Sequence, residues 1–138
     1  MAFSIRRASY YYTTVKSGGP GEAYRLLARL AELEVNLLAF AAVPFGPNRV
    51  QLTLFPEDES RLEAASNKEH LSLDGPHPAL LAQGDDELGA LAGVHAKLHE
   101  AAVDAYASMG VTDGRGSFGY VVYVRPEDAD RAAEALGV

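Results

Sequence analysis

Gly21-Glu22-Ala23-Tyr24-Arg25-Leu26-Leu27-Ala28-Arg29-Leu30-Ala31-Glu32-Leu33-Glu34-Val35-Asn36-Leu37 decides the fold. Ala23, Leu26, Leu27, Leu30 and Leu33 recur at helical spacing, while Glu22, Arg25, Arg29 and Glu32 take the other faces. An amphipathic helix follows, and it stops short of an apolar segment, Leu37 to Val43, that reads as a buried strand. Upstream, Lys16-Ser17-Gly18-Gly19-Pro20-Gly21 cannot continue a strand. Tyr10 to Val15, β-branched and aromatic, reads as a strand that extends back towards Phe3. Downstream, Phe45-Gly46-Pro47-Asn48 is a turn. Val50, Leu52 and Leu54 then alternate with Gln51 and Thr53, as in a half-buried strand. Pro56-Glu57-Asp58-Glu59 opens a second helix, with proline and acids at its positive end. The order is β-α-β-β-α.

The order then repeats. Pro78 to Ala82 reads as a strand and Gly84-Asp85-Asp86 as a loop and helix cap. Leu88, Leu91, Val94, Leu98 and Ala101 form a helical stripe. Val103 to Met109 reads as a strand, Asp113 to Gly116 as a turn, and Phe118 to Arg125 as a strand. Pro126-Glu127-Asp128 opens the last helix. Gly21 maps to Gly89, Leu30 to Leu98, Val35 to Val103 and Asn36 to Asp104, a spacing of 68 residues (89 − 21). Pro56-Glu57-Asp58 maps to Pro126-Glu127-Asp128, a spacing of 70 (126 − 56). Val50, Leu52 and Leu54 map at that larger spacing onto Tyr120, Val122 and Val124, which places the two extra residues in the second hairpin's turn. A period of this size is one small α/β unit. Residues 1–74 and 75–138 are therefore expected to be the two repeats, joined by Asn67 to His77. Leu71-Ser72-Leu73 is a candidate fourth strand for the first, and none is evident for the second.

Gly19-Pro20-Gly21-Glu22-Ala23, then Leu26 to Glu32, then Val35-Asn36-Leu37 resemble the opening of an ACT domain. The likeness spans Tyr10 to Phe55 and is topological from Pro78 onward. It implies an α+β, ferredoxin-like fold of two tandem βαββα(β) repeats, their largely antiparallel sheet carrying helices on one face. It further implies a regulatory protein that binds a small-molecule effector, an amino acid, without catalysing a reaction. The resemblance gives contact roles to Ser17, Gly18, Gly19, Pro20, Gly21 and Asn36.

The residues themselves add chemistry. Glycines let a ligand approach the backbone, and the first N–H groups of a helix favour a carboxylate or phosphate. Lys16 and Ser17 add a charge and a hydroxyl. The alternative is a tight turn with no ligand. A P-loop is not matched, because no Gly-Lys-Ser/Thr ending follows. Asp85, Asp86 and Glu87 stand at the matching loop of the second repeat and would repel a carboxylate. Asn36, or Asp104 across the repeat interface, is then expected to receive the ligand's amine. His95 and His99 share a helix face, and a half-buried pair is favoured over a metal site since no third ligand is evident. Tyr10, Tyr11 and Tyr12 supply both faces of one strand, as core or as an aromatic surface for a ligand or dimer.

Composition narrows the partners. Asp plus Glu number 19 against 12 Lys plus Arg, a net charge of -7, which argues against nucleic acid. There is no cysteine, which removes disulfides and thiolate sites and suits the cytoplasm. The N-terminus lacks a signal-peptide pattern. The longest apolar run, Val35 to Phe45, is too short for the ~20 residues a membrane helix needs. No cofactor, metal or catalytic residue is expected, and a homodimer is. The alternatives are a small ferredoxin-like enzyme and an interaction module with an exposed sheet edge.

Overall fold

A computed structural model describes residues 3–16 and 21–138. Among the described residues, six strands and four α-helices follow one another: β1 (Phe3–Lys16), α1 (Glu22–Glu32), β2 (Leu37–Pro44), β3 (Arg49–Pro56), α2 (Glu59–Glu69), β4 (Asp74–Asp85), α3 (Ala90–Glu100), β5 (Ala107–Thr112), β6 (Ser117–Tyr123) and α4 (Ala129–Ala135), with a 3₁₀ turn at Pro126–Asp128 before the last. The chain divides into two compact units, one of Ser9–His77 and one of Pro78–Val138 joined by the described residues up to Ala8. These units divide both β1 and β4. Each unit thereby contains four strands, in the order β2-β3-β1-β4 in the first and β1-β4-β6-β5 in the second. The strand missing from the end of the second repeat is the start of β1, where Ile5 packs against that unit's core. Leu71-Ser72-Leu73 is not a strand; Leu73 packs on the first core, and β4 begins one residue later.

In the first unit β3 pairs antiparallel with both β1 and β2. Tyr11 and Leu54 face α1 and α2, whose Leu30, Leu62 and Ala65 complete the buried cluster. Both helices therefore cover one face, as the stripe of α1 demands. Asp58 caps α2 by accepting hydrogen bonds from the N–H groups of Ser60 (3.0 Å) and Arg61 (3.4 Å), the role that acids have at a helix start. Gly75 has φ +150°, and an added Cβ would stand 2.8 Å from the Tyr10 carbonyl oxygen, so only glycine lets β4 approach β1 there.

In the second unit β6 pairs antiparallel with β4 and β5. Leu80, Ala82, Tyr120 and Val122 face α3 and α4, which contribute Val94, Leu98, Ala132 and Leu136. Two expectations fail here. Leu88 is fully exposed and precedes α3, whose N-cap is Gly89 rather than an acid. β5 starts at Ala107, not Val103, because Ala102 is left-handed (φ 57°) and ends the helix turn that Val103 closes.

The repeat is visible bond by bond. Glu34 and Ala102 are both left-handed after their helices, and the Val35 and Val103 N–H groups donate to Leu30 and Leu98 respectively. Phe40 faces Leu54 as Ser108 faces Val122, and Phe45 bonds Arg49 as Asp113 bonds Ser117. The hairpin turns are thus equal in length, and the spacing of 68 holds through β6. The two extra residues lie after β6, not in the turn, which also moves the partner of Leu54 from Val124 to Val122.

Candidate functional site

The first strand-to-helix connection runs from Lys16, the last residue of β1, to Gly21, the N-cap of α1. Ser17, Gly18, Gly19 and Pro20 lie outside the described residues. Glycine brings no capping side chain of its own to the first-turn N–H groups of α1. A Cβ at Gly21 would stand 2.9 Å from Arg25 Nη2, so the guanidinium folds back over the glycine. Arg25 Nη1 also donates to Glu22 Oε1 at 3.0 Å. Helix dipole and guanidinium together favour an anion at this end of the unit. By its helical spacing alone Arg25 is an outward residue. Its position one turn after a glycine N-cap is the signal that it reaches the helix start.

Asn36 stands elsewhere. Lys16 pairs with Arg49 at one end of β3, whereas the Asn36 carbonyl accepts from the N–H of Glu57 beyond the other end, about 25 Å away along the strand. The Asn36 amide Nδ2 donates to Glu57 Oε2 at 3.0 Å. In the second unit Arg125 Nη1 donates to Asp104 Oδ2 at 3.0 Å, and Arg125 lies 5.3 Å from the Tyr106 ring centroid. Asn36 with Glu57 and Asp104 with Arg125 are equivalent pairs, each 21 residues apart, and each ties the entry of an edge strand to the end of its neighbour.

The second connection, Asp86–Gly89, opens on a cavity of about 580 Å³ lined by Glu87, Leu88, Gly89, Gly110, Val111 and Phe118 among others. The Asp86 N–H donates to the Gly116 carbonyl at 2.8 Å and fixes the loop to the β5–β6 turn. Near it runs a hydrogen-bonded chain. His95 Nε2 lies 2.6 Å from the Tyr120 hydroxyl, which donates to Ser108 Oγ at 2.7 Å. A Cβ at Gly110 would stand 2.8 Å from the Tyr120 ring, so this glycine leaves room for the tyrosine. His95 is half-buried and His99 exposed; among the described residues no three His, Asp or Glu form a metal-ligand set.

The three tyrosines split between the faces of β1. Tyr11 is buried under the helices and donates to Glu63 Oε2 at 2.5 Å; burial first, then Glu63, pushes its hydroxyl pKa well up. On the opposite face Tyr10 packs on Phe55 (5.3 Å), and His77 stacks on Tyr12 (5.4 Å). His77 Nε2 lies 2.8 Å from Asp74 Oδ1. Tyr12's hydroxyl, then His77, holds the Asp74 carboxyl below its ordinary range.

No family model matches the chain, and no curated protein does. Solved structures do. A Bacteroides thetaiotaomicron protein, BT0572, superposes with a TM-score of 0.78 over 96% of this chain and 88% of its own, at 18% identity. The regulatory subunit of aspartate kinase from Thermus thermophilus, in its ligand-free form, gives 0.64 over 99% and 95%, at 15% identity. That from Thermus flavus gives 0.60 over the same shares, at 14% identity. The fold is ACT-like. In the ACT-like frame Lys16–Gly21 and Asp85–Gly89 are the equivalent strand-to-helix connections of the two units, and they carry opposite charge. Among the described residues no helix is long and apolar enough to cross a membrane.

Proposed function

We propose that the protein is an effector-binding regulatory module that recognises a free amino acid, has no catalytic activity of its own and acts as a homodimer. The observation that carries this reading is the glycine-capped start of α1 with the Arg25 guanidinium over it. The ACT-like fold supports it, as does the likeness in fold to the regulatory subunits of aspartate kinase. The ligand's carboxylate is received by the α1 N–H groups, Arg25, Lys16 and the Ser17–Gly21 connection. Asn36, at the far end of its own sheet, meets that ligand only when a second copy contributes it.

Isothermal calorimetry with a panel of amino acids tests the proposal. At least one should bind, and Arg25→Ala should weaken it by about tenfold, the loss of one charge-assisted contact. Replacing Gly18 and Gly19 by valine should abolish binding. Absence of heat with every amino acid would overturn the reading.

A further inference from the structure

α3 differs from α1 and α2 in what it shows to solvent. α1 exposes Arg25, Arg29 and Glu32 beside Tyr24, and α2 exposes Glu59, Arg61, Glu63 and Lys68. At the positions of Tyr24, Arg25 and Ala28 the second repeat has Ala92, Gly93 and Ala96, all exposed. Leu91 is also exposed, and Leu88, just before the helix, is wholly so (107%). A Cβ at Gly93 would meet nothing within 4 Å. Beside this face runs a groove of about 630 Å³ between α3 and the end of α4, with Ile5 on its floor and Ala90, Gly93 and Lys97 on one wall. A helix face of small residues lets a second backbone approach closely, and exposed leucines beside it need cover.

We propose that this face binds the α3 face of a second copy, antiparallel, across a two-fold axis near Ala92. Charge selects this occupant. Acids, Asp86 and Glu87, precede α3, and Lys97 lies near its end. Neither Glu87 nor Lys97 has an ion pair among the described residues. Laid antiparallel with Gly93 against the partner's Ala90, each helix brings its Lys97 to the partner's Asp86 and Glu87. Both pairs form at once, because a two-fold contact is self-complementary. The helix dipoles are also antiparallel in this arrangement. Leu88 of each copy then enters the groove of the other. This surface rests on the homodimer reading alone and is independent of the effector.

Sedimentation equilibrium and cysteine cross-linking test it on the full chain. Wild type should be a dimer. Gly93→Arg should be a folded monomer by circular dichroism, since α1 carries Arg25 at the equivalent position. Lys97→Glu should weaken dimerisation by about tenfold or more, and adding Glu87→Lys should restore it. The chain has no cysteine, so Ala92→Cys should yield a disulfide-linked dimer on mild oxidation, while Tyr24→Cys, its counterpart on α1, should not. A monomeric wild type would overturn both the homodimer reading and this surface. A dimer that survives Gly93→Arg, or an Ala92→Cys variant that does not cross-link, would overturn the surface alone and move the interface elsewhere, β5 being the next place to look.

Discussion

Tyr120→Phe tests how the second unit holds its internal polar chain. The hydroxyl is bonded on both sides, to His95 Nε2 at 2.6 Å and to Ser108 Oγ at 2.7 Å, and the tyrosine is 6% exposed. Each such bond is worth ~1 kcal/mol net. Ser108 is exposed and regains water when the hydroxyl goes. His95 is half-buried, and its unpartnered nitrogen carries a desolvation cost of ~1 kcal/mol or more. The single substitution should therefore destabilise by ~2 kcal/mol, a shift of about 1 M in a urea midpoint. The first repeat has Leu27 and Leu52 at the positions of His95 and Tyr120, so the scaffold accepts an apolar pair there. Adding His95→Leu to Tyr120→Phe removes the orphaned nitrogen and should recover ~1 kcal/mol. Urea titration of wild type, both single variants and the double variant gives the coupling energy. A Tyr120→Phe variant as stable as wild type, or a double variant whose losses simply add, would refute the chain as a unit.

Leu62→Ala should cost ~3 kcal/mol by the same titration, because Leu62 is fully enclosed by Tyr11, Leu30 and Leu54. Gly75→Ala should lose ~2 kcal/mol or more, since the methyl would collide with the Tyr10 carbonyl, which is backbone and cannot swing aside. Asp58→Ala should lower the thermal midpoint by removing the acceptor of two α2 N–H groups. Tyr11 is held protonated in the folded state by burial and by Glu63, so the unfolded chain ionises first as pH rises. Stability is complete below pH ~10 and falls above it. In Tyr11→Phe the slope of stability against pH in that range should be shallower, as followed by thermal melts across an alkaline series.

Local patterns carry the elements well and their assembly less well. The α1 stripe, the alternation in β3 and the proline-led helix starts are set by residues a few positions apart, which a reading along the chain can see. The division of β1 at Ala8 and Ser9 is a long-range fact: Ile5 and Tyr11 belong to different cores, yet Phe3–Lys16 is one uninterrupted strand by its side chains. Leu88 matches the apolar stripe of α3 but precedes its glycine cap, and periodicity does not know where a helix begins. The repeat spacing misleads for a similar reason. Pro56 and Pro126 match as letters, whereas hydrogen-bond register keeps 68 until β6 has ended. Composition marks the loop at Ser17 to Gly21; it does not mark Arg25, whose side chain turns back over one glycine.

The equivalence of the two latches bears on how the Asn of the first repeat should be understood. The resemblance to an ACT domain implies a ligand contact at Asn36, yet its amide is bonded to Glu57 and its carbonyl to the same residue's N–H. The second repeat fills that position with Asp104 and inverts the partner to Arg125, so the donor and acceptor change sides while the tie persists. A position that keeps its bond through such an exchange is first a structural one: it fastens the entry of the edge strand to the hairpin it closes. A ligand that used Asn36 or Asp104 would have to displace an intramolecular partner. Asn36→Ala should loosen the β2 edge even without ligand, seen as faster amide exchange at Glu57 and Leu37. Asn36→Asp with Glu57→Arg, which installs the second repeat's pair in the first, should restore the protection. If exchange at Glu57 is unchanged in Asn36→Ala, the tie has no structural weight and the position is left to the ligand.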